Sequence, residues 1–140
     1  MHNAASPDTT PGVVAMGLTQ GLVVQELGWD SDVDEGLRDR LMDAIDGDLI
    51  VDAVESVDVV VLWWRSEDGD LTDGLVDSLT DLGPSGVIWL LTPKVGRSGY
   101  VDHSDIAEGA LVAGLSLTTS AKVSQDWQAH KLVRPKGGRK

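Results

Sequence analysis

Two apolar runs constrain this chain more than anything else in it: "VDVVVLWW" at 57–64 and "GVIWLLTP" at 86–93. Both are rich in β-branched and aromatic residues and close to continuous, the pattern of strands covered on both faces, as in a parallel sheet. Between them, "DLTDGLVDSLTDLG" offers Asp70 as a helix cap, aligns Leu71, Leu75, Val76, Leu79 and Leu82 on one stripe, and stops at Gly83-Pro84. Strand, helix and strand therefore form a βαβ unit. Val59, Val61, Ile88 and Leu90 are expected to be almost fully buried in adjacent parallel strands.

The rest of the chain is organised around this unit. From Gly17, "GLTQGLVVQELGW" spaces Leu18, Leu22 and Leu27 close to a helical repeat with Gly28 as terminator, which predicts a short helix. "DSDVDEGLRDRLMDAIDG" places Leu37, Leu41 and Ile45 at i, i+4 and i+8, with Asp32 or Asp34 as N-cap and Gly47 as C-cap, and predicts a second. After the second strand, Ile106, Ala107, Ala110, Leu111 and Leu115 mark another helix. The end alternates: "LTTSAKV" and "WQAHKLV", separated by "SQD", predict an antiparallel hairpin. The expected fold is α/β, a single three-layer Rossmann-like domain with a mostly parallel sheet, a terminal antiparallel hairpin and two N-terminal helices. The domain is expected over 13–133, between a disordered N-terminus at 1–12 and a basic disordered tail at 134–140.

The formal net charge of −12 on 140 residues repels phosphodiester backbones, so broad nucleic-acid binding is not expected. The acids are scattered through helical stretches, as Asp30, Asp32, Asp34, Glu35, Asp39, Asp43, Asp46 and Asp48 show. That distribution reads as solvated helix faces and caps, with an acidic docking surface as the alternative. No run approaches the roughly 18 apolar residues of a membrane span, and the start "MHNAASPDTTPG" lacks the order of a signal peptide. Cysteine is absent, which closes disulfides, thiolate zinc sites and cysteine nucleophiles. A cytoplasmic protein without membrane attachment is expected.

The predicted order of elements is that of the C-terminal half of a Rossmann-like methyltransferase sheet, where a reversed last strand inserts beside its neighbour; this is an analogy of fold alone. The N-terminal half of such an enzyme carries a Gly-rich turn after its first strand and an acidic ribose-binding residue after its second. No G-x-G-x-x-G follows an apolar strand here, and Trp63 and Trp64 lead into "RSEDGD" where an acceptor-side motif would stand. S-adenosylmethionine chemistry is not expected, and no cofactor is assigned. The segments "ELGWDSDVDEGLRDRL", "VDVVVLWWRSEDGDLTDGLVDSL", "GVIWLLTPKVGRSGYVDHSDIAEGALVAGL" and "DWQAHKLVRPK" together resemble the DUF3052 family of small actinobacterial proteins over nearly the whole chain. The double tryptophan and the "WLLTPK" segment are distinctive in combination. The resemblance implies an actinobacterial cytoplasmic protein and carries over no catalytic residue.

Ligands of open α/β sheets bind beyond the carboxyl ends of the strands, which points to loops 65–70 and 93–105. Arg65, Lys94 and Arg97 are the candidate charges there. Gly99 and His103 lie where the second loop enters a helix N-terminus, whose free amides and dipole favour an anion. Against this, Asp102 and Asp105 occupy the same terminus as cap and first-turn acid, which makes the loop a structural connection. Asp105 and Glu108 share a helical face that His103 does not, short of the three converging ligands a metal needs. His130, in the last strand, reads as half-buried structure. Ser66, Ser98, Ser104 and Ser120 lie outside any G-x-S-x-G elbow. Trp63 and Trp64 point to opposite sheet faces and fill the two helix layers. No catalytic or metal-binding residue is assigned. The leading function is a non-catalytic Rossmann-like protein acting through contacts with an unknown protein partner, in regulation. The alternative is a binder of a small anionic ligand or nucleotide, or a small enzyme, at the two loops. No oligomeric state follows from the sequence.

Overall fold

In the computed structural model, which describes residues 10–135, the two apolar runs lie side by side inside a five-stranded sheet. Along the chain the elements are α1 (Thr10–Ala15), β1 (Val24–Leu27), α2 (Glu35–Ile45), β2 (Val57–Trp63), α3 (Leu71–Ser78), β3 (Leu82–Pro93), α4 (His103–Val112), β4 (Ser116–Lys122) and β5 (Trp127–Val133). The sheet order is β1-β2-β3-β5-β4; β1, β2 and β3 run parallel, and β5 is antiparallel to both β3 and β4. The last strand is thus inserted beside β3.

Val59, Val61, Ile88 and Leu90 are all buried, as the apolar runs predict. Val59, Val61 and Trp63 pack with Leu37, Leu41 and Ile45 of α2, while Val60, Leu62, Ile88 and Leu90 pack with Leu71, Leu75, Ile106 and Ala110 of α3 and α4. Strict alternation would put Val57 with Val59, but it packs with the second group. The register shift between Val57 and Val59 is the cause, since one extra residue turns the side chains before it to the other face.

Asp34 caps α2: its Oδ1 accepts the Leu37 amide at 3.0 Å, and its Oδ2 accepts the Ser124 hydroxyl at 2.6 Å. Asp34→Ala is expected to lower stability by about 1–2 kcal/mol, the cap together with part of the Ser124 bond. Urea titration measures it, and an unchanged midpoint contradicts the cap's role. The left-handed residue at the other end is Asp46 (φ 54°) rather than Gly47; a short polar side chain tolerates that conformation.

The helix predicted from Gly17 to Gly28 is corrected. Among the described residues the first helix ends at Ala15 and Val24–Leu27 is a strand, so one helix rather than two precedes the sheet there. Partners distant in sequence decide this segment. Val24 lies opposite Val59 of β2. On the outer side, the Glu26 amide donates to the Ile50 carbonyl at 2.7 Å and the Ile50 amide to the Val24 carbonyl at 3.0 Å. Other boundaries shift less. Leu82, Gly83 and Pro84 open β3 rather than close α3, Val76 is half exposed, and Ala107 and Leu111 lie on the outside of α4. Helix α1 takes in residues 10–12 of the expected N-terminal tail, and Arg134 of the expected C-terminal tail donates to the Gly83 carbonyl at 2.6 Å. The other tail residues, 1–9 and 136–140, lie outside the described residues.

Candidate functional site

β2 delivers two tryptophans to opposite sides of the sheet at its carboxyl end. Trp63 is fully buried and meets Trp127 of β5 edge to face, with ring centroids 4.8 Å apart and an interplanar angle of 86°. Trp64 is overlaid by α3 at Gly74, where a Cβ would lie 2.5 Å from Trp64 Cζ3, so glycine is what lets the helix come this close.

The chain then turns through Arg65, which is only 6% exposed. A guanidinium is stable there only if its donors are satisfied. Nε donates to Asp32 Oδ2 at 3.0 Å and Nη2 to Asp32 Oδ1, while Nη1 donates to the Gly28 carbonyl at 2.7 Å and to Asp68 Oδ2 at 3.3 Å. Its Cζ lies 5.3 Å from the Trp127 ring centroid, within cation–π range. Burial alone would lower the Arg65 pKa, but the bonds to Asp32 and Asp68 outweigh it and hold it above its ordinary value. The bond to Arg65 likewise holds the Asp32 carboxyl below the usual carboxylate range.

A second ion pair stands beside the first. Glu26 of β1, 3% exposed, accepts Arg38 Nε at 2.7 Å, Arg38 Nη2 at 2.8 Å and Trp63 Nε1 at 2.9 Å. Arg38 also reaches Glu35 Oε1 at 2.8 Å. The Glu26 bond, against opposing burial, raises the Arg38 pKa. Together the pairs fasten the turn after β1, and α2, to the end of β2.

Of the residues expected to bind a ligand, Gly99 comes onto Arg65. Its φ is 88°, a Cβ there would lie 3.0 Å from Arg65 Cβ, and its carbonyl accepts the Ser66 amide at 2.9 Å. Arg97 turns away to pair with Asp126 at 3.1 Å and is half exposed. The Lys94 amide donates to the Asp126 carbonyl at 3.0 Å, and His103 opens α4 at the surface. Different carboxylates of the chain itself hold the two guanidinium groups, Asp32 and Asp68 that of Arg65 and Asp126 that of Arg97. Asp102 stands at the N-cap position of α4, but its side chain makes no capping bond. Between α3 and α4, a crevice of about 510 Å³ is walled by Trp64, Tyr100 and the carboxylates of Asp70, Asp102, Asp105 and Glu108, with no Lys or Arg among the described residues of its lining. Its potential opposes an anion. Sequence reasoning missed Glu26, Asp32 and Arg38 as partners. The paired acid and base on either side of Gly28, in "ELGWDSDVDEGLR", is the signal that was available.

Three parallel strands followed by an inserted antiparallel hairpin define a Rossmann-like methyltransferase fold. The O-methyltransferase of neocarzinostatin biosynthesis, solved with S-adenosylmethionine and a naphthoic acid, is similar with a TM-score of 0.63 at 14% identity, over 81% of this chain and 49% of that one. This chain thus spans about half of that enzyme. A methyltransferase of Aquifex aeolicus has a TM-score of 0.60 at 11% identity, over 91% and 89% of the two chains. One of Thiobacillus denitrificans, solved with S-adenosyl-L-homocysteine, has 0.59 at 11%, over 96% and 94%. At such identities the likeness shows the fold alone. The chain belongs to the DUF3052 family, described as a protein of unknown function, which it matches over residues 13–136. Uncharacterised proteins of Mycobacterium tuberculosis and Mycobacterium bovis are 44% identical to it over 122 residues, spanning 86% of this chain and 77% of each of theirs.

Two of these structures hold S-adenosylmethionine or S-adenosyl-L-homocysteine, and the residues at the strand ends of this chain do not fit such a nucleoside. A nucleoside cofactor in such a sheet lies against a Gly-rich turn after the first strand, with backbone close to the ligand and an acid free to bind it. Here that turn holds one glycine, Gly28, packed so that a Cβ would collide with the Trp63 carbonyl. The Gly28 carbonyl and the Asp32 carboxylate are taken by Arg65, and Glu26 by Arg38 and Trp63. The chain's own guanidinium groups use the acceptors a cofactor would need.

Proposed function

We propose that this is a Rossmann-like protein whose strand-end edge is non-catalytic and that acts through contact with a protein partner presenting a basic face. The observation that carries the reading is the outer side of α3 and α4. Neither helix contains Lys or Arg, and between them they bring Asp73, Asp77, Asp105 and Glu108. Amid these acids Val76, Leu111 and Val112 are 50%, 75% and 67% exposed. Thr72 and Val112 share the wall of the crevice between the helices, and Val76 stands one turn beyond Thr72. Exposed apolar side chains rimmed by one sign of charge mark contact sites, and the charge selects and steers a complementary partner.

The test is affinity capture from the producing cells with the wild-type chain and with Leu111→Ser/Val112→Ser. A partner retained by the wild type, released by added salt and absent from the variant is expected; equal capture by both overturns the reading. The sealed edge supports the non-catalytic half, and it predicts that S-adenosylmethionine and S-adenosylhomocysteine leave the melting temperature unchanged. A ligand bound at a hundredfold excess over its Kd adds about 2.7 kcal/mol, so a rise of several degrees in thermal-shift assays would refute the seal.

A further inference from the structure

The antiparallel end of the sheet holds a polar group that neither the ion pairs nor the α3–α4 face uses. His130 lies opposite Ser120 in the β4–β5 hairpin and is 5% exposed. Ser120 Oγ stands 2.9 Å from His130 Nδ1, and Thr92 Oγ1 of β3 stands 3.1 Å from Nε2. All three side chains border a cavity of about 350 Å³, within the range of small-ligand sites, whose other walls include Tyr100 and His103. Ser120 is exposed, whereas Thr92 and His130 are buried, so the serine is the member of the set that a ligand meets. Helix α4 starts at His103 on the same cavity. With Asp102 making no side-chain cap, its first amides, from His103 to Asp105, have no capping acceptor among the described residues. Such amides stabilise a developing oxyanion.

We propose that Ser120 and His130 form a nucleophile–base pair that takes an acyl group from a small activated ester, with Thr92 as the residue that positions the imidazole. A nucleophile within hydrogen-bond reach of a base that is oriented by a third group is the arrangement this chemistry requires. With the ring proton on Nε2 and donated to Thr92 Oγ1, Nδ1 offers its lone pair to the Ser120 hydroxyl. As Oγ bonds to the acyl carbon, the hydroxyl proton passes to Nδ1; the bond from that carbon to the leaving oxygen breaks, and the leaving group carries the proton away. Water then gives a proton to Nδ1 as its oxygen bonds to the acyl carbon. The ester bond to Oγ breaks, Oγ recovers the proton, and the carboxylic acid departs. The pair shares no residue with the Arg65 network, so it stands apart from the sealed edge.

The full chain is incubated with p-nitrophenyl acetate, p-nitrophenolate release is followed, and the acetyl group is located by peptide mass spectrometry. The expected result is an acetyl adduct on Ser120 and a release rate that falls on the order of a hundredfold in Ser120→Ala. Thr92→Val is expected to keep the adduct site, slow its formation and shift the pH midpoint of the acid limb, which a purely structural role would not move. Mapping needs only the wild-type chain, so it holds even if a variant folds poorly. Acetylation confined to lysines and the N-terminus, or a folded Ser120→Ala that releases p-nitrophenolate at the wild-type rate, overturns the proposal.

Discussion

Arg65→Met is expected to lower stability by roughly 3 kcal/mol, at the lower end of what breaking a buried ion pair costs. The change leaves the Gly28 carbonyl and the Asp32 carboxylate without their guanidinium donor, leaves Asp68 with the backbone amide of residue 65, and removes the cation over Trp127. Asp32 is 51% exposed and can be rehydrated, which keeps the loss from being larger. Arg65→Lys is expected to recover less than half of it, because an ammonium cannot serve both oxygens of Asp32 and the Gly28 carbonyl in one plane. Arg97, with its half-exposed partner Asp126, provides the contrast: Arg97→Ala should change stability by less than about 0.5 kcal/mol. Urea unfolding of the three variants decides the matter. If Arg65→Met falls within the Arg97→Ala range, the guanidinium is not what holds the turn after β1 against the end of β2.

That hub was only partly legible in the sequence, for a physical reason that also governs the fold. β2, α3, β3 and the hairpin carry their signal locally: continuous apolar runs, a cap at Asp70 and a clean alternation near the end. β1 does not. Four residues long, with Gln25 and Glu26 buried in it, it reads as one face of a helix because Leu18, Leu22 and Leu27 mimic that period. Its strand identity comes from Val59 and Ile50, which are far away in the chain. The positive charge of Arg65 was visible as a site candidate, but its partner Asp32 is 33 residues away, and only the sheet order shows that the two meet. A residue named for binding a ligand is thereby occupied by the protein itself. The pairing of Ser120 with His130, by contrast, follows from hairpin register and was within reach once the two strands were aligned around "SQD".

Stability is expected to decline as pH falls from about 6.5 towards 4, and His130 is the group responsible. Burial, reinforced by the charge of His103, lowers its pKa from 6.5 to about 4 in the folded chain. Between those values the unfolded chain binds the proton and the folded chain does not, so acidification favours unfolding. The contribution is fully present above the unfolded pKa, is lost progressively below it, and amounts to roughly 3 kcal/mol by pH 4. Two carboxylates act in a lower window. Asp32 is held down by Arg65; Asp34 is held down by the Ser124 hydroxyl and the Leu37 amide, which outweigh its burial. Their contributions are present above the ordinary carboxylate pKa and fade only as pH falls through their lowered values, so the two effects separate along the pH axis. His130→Gln removes the titrating group while keeping a polar side chain between Ser120 and Thr92. Urea midpoints measured from pH 7 to 4.5 should fall more steeply for the wild type than for this variant. Parallel profiles would mean that His130 carries its proton equally well in the folded and unfolded chain, and that the imidazole between Ser120 and Thr92 is more open to water than its burial allows.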